Sequence, residues 1–252
     1  MLPSIENFRD FGGFQTASGK RMKRGRLYRS AAQHMATDED LAALAELNLG
    51  VIVDLRHPSE RKVEVCRRWP GFSAEVIDNG WEETFPSWVE RLKDQIPTVE
   101  LLRKWKRAWY SQMATEPGRF DLFARCLAAL ADTDRPMLIH CSAGKDRTGV
   151  LVALVQYVAG VGWDHIVADF VRSNDEAMFR LRAPGVRASL ERISGADPDA
   201  ATVRAAMAVE ADYLEIAFDG MVSRYGSVDA YLERALVLGT TERAALRARL
   251  LG

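Results

Sequence analysis

Ten consecutive residues carry the sharpest chemistry in this sequence: His140-Cys141-Ser142-Ala143-Gly144-Lys145-Asp146-Arg147-Thr148-Gly149. Upstream, Pro136-Met137-Leu138-Ile139 reads as a short buried strand, and downstream Val150–Val155 reads as the core of a buried helix. A Cys-x5-Arg segment therefore joins strand to helix. A helix N-terminus offers unpaired N–H groups and a positive dipole end, so it favours an anion. A tight loop closing onto it can turn its own amides inward, and Gly144 permits the sharp path this needs. Arg147 adds a planar fork suited to two oxygens of a phosphate-like dianion. Cys141 lies at the mouth, where the field that binds an anion also stabilises a thiolate.

The chemistry that follows is phosphoryl transfer to Cys141 and hydrolysis of the phosphocysteine, one hard displacement split into two easier ones. Charge developing on the phosphoryl oxygens is met by the amides of Ser142, Ala143, Gly144, Lys145 and Arg147 and by the Arg147 guanidinium. Such a cradle takes the place of a metal. Thr148 is placed to hydrogen-bond the thiolate and improve it as a leaving group in the second step. The plainer reading, that Cys141 is an ordinary buried thiol at a strand end, stands beside this one. What favours the catalytic reading is the company of the Cys-x5-Arg pair: the preceding His, the central Gly and the Thr-Gly that follows.

The elements that must position the loop read as an α/β layered domain. Phe14–Thr16 and Met22–Tyr28 read as a hairpin about Ala17-Ser18-Gly19. Thr37-Asp38-Glu39-Asp40 opens a helix, and Val51–Leu55 and Ala74–Asp78 read as strands. Residues 80–118 carry Trp81, Trp88, Trp105 and Trp109, with apolar residues at helical spacing. They are either core or an inserted lid over the loop. A helix follows at Asp121–Leu130. Gly160 and Gly162 stop the helix that starts after the loop, a second runs from Trp163 to about Leu181, and the rest is helical, broken at Gly195–Pro198 and Gly226. The expected fold is a central, mostly parallel sheet flanked by helices, with a helical insertion and a helical C-terminal layer, in one domain over 1–252.

The bulk numbers exclude several classes. A net charge of −1 argues against nucleic acid and anionic membranes as partners. No apolar run approaches the ~20 residues of a membrane span, so no stable insertion is expected. The N-terminal residues lack the regions of a secretory signal; the expected location is cytoplasmic, or secreted without a signal peptide. Three cysteines at wide spacing make no disulfide framework. His34, His57, His140 and His165 stand apart from any zinc-like spacing, so neither a metal nor another cofactor is expected. Cys66 and Cys126 read as structural, with redox protection of Cys141 as the alternative. Six basic residues between Lys20 and Arg29 read as a solvated face or as a rim attracting phosphorylated substrates.

The loop resembles the signature of cysteine-dependent phosphatases, and with Lys145-Asp146 before Arg147 it resembles in particular the PtpB-like bacterial tyrosine phosphatases. Asn7–Gly13, Gly25–Ser30, Val53–Arg56, Val167–Asp175 and Tyr225–Ser227 agree with that resemblance. It implies a protein tyrosine phosphatase acting on phosphotyrosine proteins or peptides, with phosphoserine, phosphothreonine and phosphoinositides as further substrates. It implies a structural role for His140, orienting the loop, and points to Asp146 as general acid. Lys145 and Arg147 favour the ionised form of Asp146, which is awkward for an acid, so Asp54 and Asp78 stay open as rivals and an ion pair orienting Arg147 as another role. Lys145 resembles loops of phosphoinositide phosphatases, which makes a phosphoinositide-preferring enzyme the alternative. A sulfur or arsenic transferase and an inactive phosphate-binding module are the remaining rivals.

Overall fold

The structure, a computed structural model, describes residues 2–82, 88–93 and 95–252. The strands are β1 (Arg9–Asp10), β2 (Leu27–Ser30), β3 (Val51–Asp54), β4 (Glu75–Ile77) and β5 (Met137–His140). They form one sheet in the order β1-β2-β5-β3-β4, parallel throughout except for β1 on β2. β5 therefore lies centrally, in register with β2 (Leu27 beside Met137) and β3 (Val51 beside Met137).

β3 and β5 are buried on both faces, as a parallel sheet covered on both sides requires. Ile52 and Leu138 face one apolar cluster with Leu41, Leu44 and Trp69. Leu41 and Leu44 come from α1 (Asp38–Glu46), which Thr37 starts with a capping box closed by Asp40. Val51, Val53, Met137 and Ile139 face the larger cluster. Its helices include α4 (Val99–Met113), α5 (Pro117–Asp132), α6 (Asp146–Ala159) and α7 (Trp163–Val171). In chain order α2 (Pro58–Val63) follows β3 and α3 (Trp88–Leu92) follows β4. After α7 come α8 (Glu176–Ser194), α9 (Ala200–Met207), α10 (Ala211–Tyr225), α11 (Val228–Arg234) and α12 (Thr240–Leu250).

The expected parallel sheet with a helical C-terminal layer is thus observed, with local differences. The expected hairpin is present in short form, without regular strands: Met22 N–H donates to Phe14 O and Thr16 N–H to Lys20 O, both at 2.9 Å, with Gln15 bridged to Arg21, while the chain from Leu27 pairs instead with β1 and β5. The helix expected from Trp163 to Leu181 is two: Asn174 exchanges hydrogen bonds with the backbone of Val209, and Asp175 caps α8 by accepting from the Met178 amide. α8 then runs through Pro184, and Gly195 ends it in the left-handed conformation.

Within the tryptophan-bearing segment, residues 83–87 and 94 lie outside the described residues. α4 packs against α10 and contributes Tyr110 and Met113 to the main core, while its Leu102 joins a third cluster with Leu92, Phe179, Leu190 and Val203.

Candidate active site

Residues Cys141–Lys145 form the loop between β5 and α6, beyond the C-terminal ends of the parallel strands, where such sheets place their ligands. The loop crosses the end of β2 so closely that a Cβ on Gly144 would lie 2.3 Å from the Ser30 carbonyl, and Gly144 has φ +66°. The scaffold grips the loop by its carbonyls. Ala32 N–H donates to Ser142 O at 3.1 Å, Asn7 Nδ2 to Ala143 O at 2.7 Å, and Arg29 Nη2 to Gly144 O at 2.9 Å. In a trans peptide the N–H points opposite to its C=O. Carbonyls pulled outward at 142, 143 and 144 therefore turn the amides of Ala143, Gly144 and Lys145 inward, over Cys141.

Arg29 is fully buried and pays for its charge through Asp169 of α7, whose Oδ2 it contacts at 3.0 Å; Arg9 takes Oδ1 at 3.1 Å. Burial raises the Asp169 carboxyl, but Arg29 and Arg9 outweigh it and hold it below the usual carboxylate range. This triad anchors the loop from beneath. In the sequence Arg29 counts among the six basic residues between Lys20 and Arg29 read as a solvated face or a rim; it is neither, being fully buried beneath the loop.

Arg147, in the first turn of α6, is held by Glu60 in a two-pronged pair: Nη1 to Oε2 at 2.5 Å and Nη2 to Oε1 at 2.7 Å. Ser142 Oγ donates to the same Oε1 at 2.5 Å. Pro58 starts α2, and a capping box in which the His57 amide donates to Glu60 Oε2 at 2.8 Å aims this carboxylate at the loop. Burial raises the Glu60 carboxyl, yet Arg147, Ser142 and the His57 amide depress it far below its ordinary value. The guanidinium plane is thus set before any ligand arrives. Glu60 was not legible as a site residue, since it lies 87 residues from Arg147 in sequence.

Asp146 keeps 21% of its side chain accessible. Its Oδ1 accepts from Tyr110 at 2.7 Å, and its Oδ2 lies 3.7 Å from Lys145 Nζ. Burial raises its carboxyl, but Lys145, Lys106, Tyr110 and Arg147 together favour the ionised form. The rivals sit elsewhere. Asp54 is buried in a bidentate pair with Arg56, at 2.9 and 2.7 Å. Asp78 lies beside Arg61 at 3.6 Å, with 44% of its side chain exposed.

The Lys145 ammonium reaches the Met207 carbonyl at the end of α9, so it is the backbone of Lys145 that faces the cradle. His140 is fully buried, and burial above all pushes it down to about 4, leaving a neutral ring whose Nδ1 lies 3.3 Å from Cys141 O. Thr148 Oγ1 is buried without a hydrogen-bond partner among the described residues.

Three further expectations meet the topology. β2 runs parallel to β5, so Lys20–Arg26 precede it at the end of the sheet opposite the loop. A basic rim at the site is therefore ruled out for these residues. Cys66 shares a sheet face with Asp54 and His140, whereas Cys141 belongs to the cluster on the other face, and Cys126 is buried against Met137. A bridge to Cys141 has no partner there. Asp54, Cys66 and His140 converge with potential ligand atoms within 4.8 Å of one another. The Arg56 guanidinium fills that convergence, donating to both Asp54 and Cys66 Sγ, and would oppose a cation.

A sequence profile described as "Tyrosine phosphatase family" matches residues 1–252. A tyrosine-protein phosphatase homologue of Cupriavidus necator is 32% identical over 238 residues, covering 92% of this chain and 82% of its own. The triple specificity protein phosphatase PtpB of Mycobacterium tuberculosis is 32% identical over 265 residues, covering 93% of this chain and 92% of its own. The crystal structure of P. aeruginosa TpbA aligns with 75% of this chain and 89% of its own at 19% identity and a TM-score of 0.33, too low to add to the fold described above.

Proposed function

The chain belongs to the tyrosine phosphatase family and is a cysteine-dependent phosphatase; from that membership we propose that it hydrolyses phosphate monoesters without a metal, with Cys141 as nucleophile, Arg147 and the loop amides as phosphate cradle, and Asp146 as general acid. The Cys141 thiolate attacks phosphorus; the P–S bond forms as the bond to the leaving oxygen breaks, and Asp146 gives that oxygen its proton. Water then attacks the phosphocysteine. The P–S bond breaks, the Asp146 carboxylate takes the water's proton, and inorganic phosphate leaves.

The observation that carries this reading is the loop's orientation: carbonyls bound outward, amides inward, with Arg147 fixed by Glu60 at its rim. Fixed donors of this kind act on charge that develops in the transition state. Thr148 Oγ1 supports the second step, as a buried hydroxyl with a hydrogen bond to give to the departing thiolate. His140, neutral and behind the loop, serves as its support rather than as a base.

We assign phosphotyrosine in proteins or peptides as the first substrate class. Cys141 is 2% exposed, so the phosphoryl group must reach a floor, and an aryl spacer reaches further than a seryl methylene. Phosphoserine, phosphothreonine and phosphoinositides follow as further substrates, by analogy with the triple specificity for which PtpB is named. A preference for phosphoinositide would rest on Lys145, whose ammonium is engaged by Met207 O. No helix among the described residues is long and apolar enough to cross a membrane. Free Cys66, Cys126 and Cys141 suit a reducing compartment such as the cytoplasm. We read residues 1–252 as one catalytic domain, because α4 contributes to two of its apolar clusters.

Cys141→Ser tests the assignment. Turnover of an aryl phosphate, a phosphotyrosine peptide and a phosphoinositide, assayed side by side, should fall by at least ~10³-fold while phosphopeptide binding persists. Activity within about tenfold of wild type would remove Cys141 from the role of nucleophile.

A further inference from the structure

α4 carries two buried polar groups, one of them in contact with Asp146. Tyr110 is fully buried, and its hydroxyl donates to Asp146 Oδ1 at 2.7 Å. One turn earlier, Lys106 is 4% exposed, with its ammonium on the carbonyls of Ala205 and Ala208 at 2.9 and 2.5 Å. Resting on the reading of Asp146 as the general acid, we propose that Tyr110 is a positioning residue for proton delivery: it reserves Oδ1, so that Oδ2 carries the proton to the leaving oxygen.

A carboxylic acid carries its proton on one oxygen and accepts through the other. Tyr110 can only donate here, because burial first, and the charge of Asp146 next, hold its own ionisation well above the ordinary phenol value. Its ring is fixed by Tyr213, stacked at 5.2 Å, and by Phe170, edge-on at 6.2 Å. Oδ1 is therefore occupied in either state of the acid, and Oδ2 is the atom free to exchange a proton.

The charged groups around Asp146 are Lys145, Lys106 and Arg147, and with Tyr110 they favour its ionised form over the opposing effect of burial. A phosphate dianion in the cradle counteracts those cations and brings the proton onto the carboxyl when a leaving group is present. Lys106 itself faces Lys145, Asp146 and Glu210, with the Tyr213 ring 5.8 Å from its ammonium. Burial, then Lys145, push it down to about 7.

The test compares wild type, Tyr110→Phe and Asp146→Asn with aryl phosphates of low and high leaving-group pKa, across pH. Asp146→Asn should slow poor leaving groups far more than good ones. Tyr110→Phe keeps the ring packing and removes one donor to the carboxylate. It should move the alkaline limb of kcat/KM to higher pH and slow poor leaving groups about tenfold more than good ones. In the Asp146→Asn background, Tyr110→Phe should add no further dependence on the leaving group. A uniform loss in Tyr110→Phe with the limb unmoved would reduce Tyr110 to a packing residue and overturn the inference alone. A uniform loss in Asp146→Asn would overturn the acid assignment, and the inference with it.

Discussion

At the scale of single residues, the charge of Arg147 is paired within the site. Arg147 meets both oxygens of Glu60, and Glu60 also takes Ser142 and the His57 amide, so guanidinium, loop and α2 form one hydrogen-bonded unit. That geometry needs a planar fork. Lysine would keep the charge but could not span both carboxylate oxygens, nor two oxygens of a phosphoryl group. Arg147→Lys should therefore lower kcat/KM for an aryl phosphate by roughly 10²–10³, while the thermal unfolding midpoint moves only slightly. Near-normal kinetics in that variant would take Arg147 out of the cradle.

At the scale of the element, the loop's shape is imposed by its neighbours. Its carbonyls go to the segment around Asn7, to the chain after β2, and to Arg29, and Gly144 passes over Ser30 with no space for a side chain. Gly144→Ala would add a Cβ 2.3 Å from the Ser30 backbone at φ +66°. Strain of this kind costs roughly 1–3 kcal/mol where the chain cannot move. The cheaper response is for the loop to lift, which would spoil its amide geometry. We expect Gly144→Ala to lose most of its kcat while far-ultraviolet circular dichroism stays native. Full activity with lowered stability would show that the loop keeps its path and the strain is borne elsewhere.

At the scale of the whole molecule, burying His140 behind the loop ties stability to pH. Its folded value, about 4, lies below its ordinary 6.5. Between those values the unfolded chain takes up a proton that the folded chain does not. The stabilisation is therefore complete above pH 6.5 and is lost as pH falls towards 4, by roughly 3 kcal/mol in all. Urea unfolding at pH 7 and pH 4.5 should show this decline, and His140→Asn should flatten it. An equal decline in wild type and variant would assign the acid sensitivity to other groups.

Cys141, Gly144 and Arg147, and the strand and helix on either side, were readable from sequence because they are local. A nucleophile, a tight loop and a helix N-terminus lie within ten residues, and apolar periodicity marks the elements that flank them. The parallel sheet was readable for the same reason, as buried strands recurred between helical patterns. The roles of Glu60, Arg29, Asp169 and Tyr110 were not, although Arg29 and Asp169 lie in stretches that carry the family resemblance. Glu60, Arg29 and Tyr110 reach the loop or the first turn of α6 through tertiary packing from tens of residues away, and Asp169 acts on the loop through Arg29. Topology alone showed that Lys20–Arg26 face away from the site, since parallel pairing of β2 with β5 sends everything before Leu27 to the opposite end of the sheet. Local spacing determines which groups can react, and side-chain contacts between distant segments decide which of them are held in place, because a hydrogen bond depends on distance in space and not on distance along the chain.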